Sequence, residues 1–162
     1  SFIHLDMVFT MLDRDACMVH PPLVLEHNHH ETVHIEIDGG QVVKIREVDN
    51  LLTALGNVGL DLEPIRCGGD DRWSQEREQW HSGTNFFALG PGKVMGYERN
   101  QHTLEQLVRH GFEVVSADAV IDGSVDLESL GRCVVTVAGS ELARGGGGCR
   151  CMTLPIAREP LD

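Results

Sequence analysis

Apolar positions switch between a two-residue and a three-to-four-residue spacing, and the switches mark out the elements. Residues 2–12 mix β-branched and aromatic side chains and predict a strand that carries His4 and Asp6. The charged triplet at 13–15 reads as a turn, residues 16–20 as a second strand, and Pro21-Pro22 as its stop. Residues 23–37 predict a strand pair, or a strand and a loop, around a His-rich centre. Asp38-Gly39-Gly40 is a turn signal, followed by a short strand or linker at 41–46. Apolar residues at 48, 51, 52 and 55 predict a helix over 47–56, capped by Gly56. Residues 61–66 predict another strand.

A long polar loop follows from Cys67, with a helical turn expected at 75–80. Residues 86–89 and 93–97 predict two strands around the tight Gly90-Pro91-Gly92 turn. Residues 101–110 predict a helix with Leu104, Leu107 and Val108 on one face and Gly111 at its end. Strands are expected at 112–116 and 133–138, separated by an acidic stretch with a short helix at 126–130. Four glycines at 145–148 lead into a last expected strand at 149–157. The order of strands, helix and strand occurs twice, which suggests an internal ββαβ-like repeat.

At 162 residues the chain has the size of one domain or a piece of a larger one. It starts at Ser1 and enters a strand at once, which reads as a piece whose partner segment is missing. No apolar run approaches the roughly 18–20 residues of a membrane span, and no signal-peptide pattern precedes the first motif. A net charge of −12 argues against a nucleic-acid surface, which needs a basic field, and suits a cationic ligand. Five cysteines at irregular spacing form no disulfide framework, so a reducing, cytoplasmic setting is expected.

Three features carry candidate chemistry. Cys151 follows a glycine run that lets backbone approach a ligand, so it is either an accessible nucleophile or a buried structural thiol. His4 and Asp6, two apart on a strand, project from one face. They form either a satisfied core pair or, if the face opens into a pocket, an acid/base and a cation-binding carboxylate. The histidines at 27, 29, 30 and 34 raise a metal reading, but no second motif completes a site, and a solvated loop is expected. The glycine run lacks the Lys and Ser/Thr of a phosphate loop. The charges at 70–77 read as loop ion pairs.

Three ordered segments resemble the arginine deiminase family of guanidine-modifying enzymes. HLDMVFTMLDRD at 4–15 is similar to its histidine motif, EREQWHSGTNFFALGPGKVMGYERN at 76–100 to its R-E-Q-W…G-x-N…P-G segment, and GSELARGGGGCRCMTLPIAREPLD at 139–162 to its C-terminal segment. The resemblance covers nearly the whole chain. It implies an α/β propeller of five ββαβ modules (a pentein-type fold), of which this chain is the last two, at about 1–83 and 84–162. It further implies that Cys151 is the nucleophile, His4 the general acid/base, and Asp6 a carboxylate for the guanidinium.

Arg144, Arg150, Gly147 and Gly148 are the further substrate-binding candidates that the resemblance implies. Two family carboxylates belong to the N-terminal half, and Gly68-Gly69-Asp70 imitates one of their motifs without the preceding Glu. Three departures stand out. Gly146 replaces an expected arginine for the substrate carboxylate, Arg150 is offered as a replacement charge, and 117–132 is an insertion. The implied activity is L-arginine hydrolysis to citrulline and ammonia, with no metal or organic cofactor. An amidinotransferase, another guanidine hydrolase, or an inactive structural half are the alternatives. The implied partners are a small guanidine substrate, the N-terminal remainder of the enzyme and a second copy of the chain.

Overall fold

The computed structural model describes residues 4–26 and 30–160. The chain is a mixed α/β structure whose strands form three sheets. In the first sheet β1 (Phe9–Met11) pairs antiparallel with β2 (Ala16–Val19), and β2 pairs parallel with β5 (Glu63–Arg66). The larger sheet repeats this order. There β6 (Phe87–Gly90) pairs antiparallel with β7 (Lys93–Tyr97), and β7 pairs parallel with β9 (Cys133–Val137). A fourth strand, β8 (Glu113–Ser116), extends it on the far side of β9.

The connections that return a parallel strand need a crossover, and each sheet supplies its own. Between β7 and β8 lies α4 (Gln101–Arg109), which buries Leu104 and Leu107 as their spacing predicts. Between β2 and β5 lie the short α1 (Pro21–Val24), a hairpin of β3 (Thr32–Asp38) and β4 (Gln41–Val48), and α2 (Leu51–Gly56). The two prolines that stop β2 also open α1, because proline suits the first turn of a helix. The helix expected over 47–56 is shorter. β4 runs to Val48, and the Asn50 side chain accepts from the Thr53 N–H to start α2.

One buried cluster joins Met18 and Ile65 of the first sheet to Val94 and Val134 of the larger one, with the adjoining Leu12 and Phe86, closed by Leu104 and Leu107 of α4. Polar ties reinforce the contact. Arg132, just before β9, donates to Asp13 at 2.7 Å and also pairs with Asp15, both in the β1–β2 turn. The β3–β4 hairpin forms a sheet of its own. Val33, Ile35 and Ile37 alternate along β3, with Ile45 opposite Ile35 and Val42 opposite Ile37, and this aliphatic row is exposed.

The polar loop beyond Cys67 contains a full helix, α3 (Arg72–Trp80), started by the Asp71 carboxylate accepting from the Ser74 N–H. The expected last strand at 149–157 is absent; that segment is turn and irregular chain. Among the described residues no helix is long and apolar enough to cross a membrane.

Candidate active site

His4 and Asp6 do not lie on a strand. Residues 5–7 form a 3-10 turn just before β1, which leaves His4 exposed and Asp6 half-buried. The turn is held from below: Thr84 Oγ1 donates to the Asp6 carbonyl at 3.2 Å, and Gln79 Nε2 donates to the Met7 carbonyl at 3.1 Å. Turning rather than alternating still brings the two side chains together, and His4 Nδ1 hydrogen-bonds Asp6 Oδ1.

Cys151 arrives from the other end of the chain. A 3-10 turn at 142–145 gives way to Gly146 and Gly147, both at positive φ, a conformation that a side chain would strain. A Cβ on Gly147 would also lie 2.8 Å from that of Cys151. Thr153 closes the turn that carries the thiol, its hydroxyl donating to the Cys149 carbonyl at 3.0 Å and the Arg150 carbonyl at 3.1 Å. With the Thr153 N–H donating to the Arg150 carbonyl at 3.3 Å, these bonds fold residues 149–153 into a turn where a strand is expected. Buried Tyr97 supports the loop from beneath, its hydroxyl donating to the Gly147 carbonyl at 3.4 Å.

The result is a short series of reactive groups. Cys151 Sγ lies 3.4 Å from His4 Nε2, and the other ring nitrogen faces Asp6. An imidazole so placed can exchange a proton with the thiol while the carboxylate orients the ring. Cys151 is exposed, whereas Cys17, Cys67, Cys133 and Cys149 are all buried. Burial pushes Cys17 and Cys67 up to about 12 and Cys149 up to about 11, and raises Cys133 as well.

The remaining expected residues divide. Arg150 Nε lies 3.4 Å from Asp6 Oδ2, so its charge faces that carboxylate rather than standing free for a substrate carboxylate. Arg144 is exposed and donates to Glu141 at 2.8 Å, away from the thiol. Gly148 packs on Asn85. His27 and His29 lie outside the described residues. His30 is exposed, and His34 sits on β3 facing Arg46 at 3.0 Å, so no helical face joins the two. Among the described residues, the group with metal-ligand donors is His4, Asp6 and Cys151 itself, whose donor atoms lie within 4.8 Å of one another. Gly68 serves packing: a Cβ there would lie 2.5 Å from the Gln75 backbone of α3.

Two polar residues escaped the sequence reading. Asn85 bridges Asp6 to the thiol turn. Glu78, within the R-E-Q-W segment, is 1% exposed and caps α4 by accepting from the N–H groups of His102 (3.0 Å) and Thr103 (2.8 Å) and from the Thr103 hydroxyl (2.7 Å). Both stand inside the motifs, but nothing local distinguishes them from solvated loop residues.

Fold and site together define a mixed α/β protein in which loops at opposite ends of the chain present a thiol, an imidazole and a carboxylate. The chain belongs to the arginine deiminase family, whose model, described as "Arginine deiminase", matches residues 1–158. An arginine deiminase of Mycoplasma capricolum subsp. capricolum is 38% identical over 162 residues, covering 100% of this chain and 34% of the relative. One of Clostridium perfringens is 35% identical, covering 99% and 34%. One of Rhodococcus jostii is 38% identical over 160 residues, covering 98% and 34%. The chain thus spans about a third of the length of the curated relatives it matches.

Proposed function

We propose that this chain is the nucleophile-bearing part of an enzyme that hydrolyses a guanidinium group, with L-arginine going to L-citrulline and ammonia. The observation that carries the reading is the 3.4 Å approach of Cys151 Sγ to His4 Nε2, at positions where the family places such groups. A guanidinium is resonance-stabilised and resists water, so a strong nucleophile helps. The Cys151 thiolate attacks the central carbon. His4 gives its proton to the departing ammonia, leaving a thiouronium bound through sulfur. His4 then takes a proton from water as the water adds to the same carbon, and collapse breaks the C–S bond, releasing the ureido product and the thiolate while the remaining hydroxyl proton passes to solvent.

Asp6 holds guanidinium N–H groups by charge-assisted bonds in this scheme. For that, Arg150 has to yield Oδ2, the oxygen it faces at 3.4 Å. Arg144, Gly147 and Gly148 remain proposed substrate neighbours through the glycine loop. The scheme uses no metal and no organic cofactor, and its setting is the cytoplasm. The two larger sheets are read as successive modules of an α/β propeller, supported by their shared order of an antiparallel pair followed by a parallel strand.

The reading makes the remainder of the enzyme an obligatory partner, so the 162 residues alone are expected to be inactive. A second copy is the other proposed partner. The exposed row of Val33, Ile35, Ile37, Val42 and Ile45 supports it, since two such faces packed together would cover on the order of 1,000 Å², the lower bound of a stable interface. A mass that stays monomeric across a concentration series of the full-length protein would refute that association.

The functional test is ammonia and citrulline release from arginine by the full-length parent enzyme beside Cys151→Ala. Turnover abolished in the variant is expected. Turnover retained there would sink the reading. Transfer to an added amine in place of hydrolysis would redirect it to an amidinotransferase.

A further inference from the structure

The side chain of Asn85 touches both halves of the reactive cluster. It is 1% exposed, on the stretch between α3 and β6. Its Nδ2 donates to Asp6 Oδ2 at 2.9 Å. Its Oδ1 accepts from the backbone N–H of Arg150 at 3.1 Å and of Cys151 at 3.3 Å. An amide fits this place because it carries a donor and an acceptor without charge: the donor end needs a carboxylate, the acceptor end needs N–H groups. The glycine run makes room for it. A Cβ on Gly148 would lie 2.6 Å from Asn85 Oδ1 and 2.7 Å from its Cβ. Thr84 and Thr10 also reach this turn, but both address the Asp6 backbone carbonyl and leave the carboxylate alone.

We propose that Asn85 is the positioning residue that locks the Cys151 turn to the His4–Asp6 pair and so sets the approach of thiol to imidazole. The inference rests on the thiol chemistry proposed above, which the two outer members of the cluster perform. Asn85 touches no reacting atom. It fixes the carboxylate oxygen that His4 does not use, and it fixes the two peptide N–H groups next to the sulfur. Arg150 Nε also faces Asp6 Oδ2, at 3.4 Å, so losing the amide leaves that oxygen to the exposed guanidinium alone and takes the side-chain acceptor from both N–H groups at once.

The test uses the full-length parent enzyme, wild type beside Asn85→Asp and Asn85→Leu. The rate of Cys151 alkylation by iodoacetamide is followed against pH by peptide mapping, together with arginine turnover. Asn85→Asp is expected to slow both at least tenfold at pH 7.5, because the introduced carboxylate faces Asp6 and cannot donate. Its deficit relative to wild type should shrink towards acid pH, where a protonated carboxyl can again donate to Asp6 and accept from the N–H groups. Asn85→Leu should show a deficit of similar size with no recovery in acid. Deficits within threefold of wild type in both variants would overturn the proposal. So would equal losses in both that do not change with pH, which is what mere packing predicts. If Asn85→Leu fails to fold, the near-isosteric Asn85→Asp still decides through its pH dependence. If the wild type turns over no arginine, the functional reading fails, while the alkylation arm still reads the role of Asn85.

Discussion

Glu78 and Asp6 are carboxylates that gather hydrogen bonds from distant parts of the chain, yet they do opposite things. Glu78 is sealed at 1% exposure, and its partners are the N–H groups and hydroxyl at the start of α4. Arg77 reaches it at 3.3 Å from an exposed position. Asp6 is half-buried beneath an exposed imidazole and an exposed thiol, and its partners are the side chains of His4, Asn85 and Arg150. The sealed cluster spends its hydrogen bonds on joining α3 to α4. The open one keeps reactive groups at the surface. Burial, rather than residue type, separates a fastener from a site.

Swapping the two carboxylates for neutral residues should split stability from turnover. In the full-length enzyme, Glu78→Ala leaves three buried donors unpaired and should cost about 3 kcal/mol in urea unfolding, with Glu78→Gln at roughly half that. The folded fraction should keep its kcat within about threefold. Asp6→Asn should do the reverse: kcat lower by about a thousandfold or more, as when a carboxylate that orients a catalytic imidazole is lost, with stability within about 1 kcal/mol. A Glu78 variant that folds normally but has lost turnover would break the contrast.

The cysteines sharpen the same contrast at a single residue type. With Cys17 and Cys67 pushed to about 12 and Cys149 to about 11, their thiolate fractions at pH 8 are on the order of a thousandth or less. Burial denies them reagent as well. Limited iodoacetamide at pH 8 should therefore label Cys151 at least a hundredfold faster than any of the other four. Comparable labelling of Cys149, two residues away, would mean that the glycine turn opens readily and that its burial does not hold in solution.

How far this was legible beforehand differs by kind of interaction. The apolar spacing of α4 and the strands β6, β7, β8 and β9 follow from local periodicity, which one sequence displays. The placement of Cys151 beside His4 came only through the family resemblance, because 147 positions separate the two. Residues 5–7 carry a strand signal from their β-branched and aromatic neighbours, yet they form a turn whose carbonyls are held by Thr84 and Gln79, far along the chain. The final segment departs from its pattern in the same way. Its apolar residues fit a strand, but 149–153 close into a turn held by the Thr153 side chain. Asn85 and Glu78 were invisible as anchors, because a polar residue shows its partners only once the chain is folded.

The smallest expected effect concerns a second buried polar residue in the sealed part of the molecule. His20 is 1% exposed at the end of β2, and burial lowers its pKa below the ordinary 6.5, with Arg72 adding to the fall and Glu76 and Glu26 opposing it. Burial likewise lowers His81, helped by Arg99 and Arg77 and opposed by Glu78. A depressed histidine costs nothing above pH 6.5, where folded and unfolded chains are both neutral. As pH falls through 6.5 the unfolded chain takes up a proton that the folded chain refuses, so stability declines until the folded pKa is passed. The thermal midpoint should thus fall between pH 7.5 and 5.5, and His20→Gln should flatten that slope. A slope unchanged in the variant would show that His20 is reached by water and belongs with the open residues rather than the sealed ones.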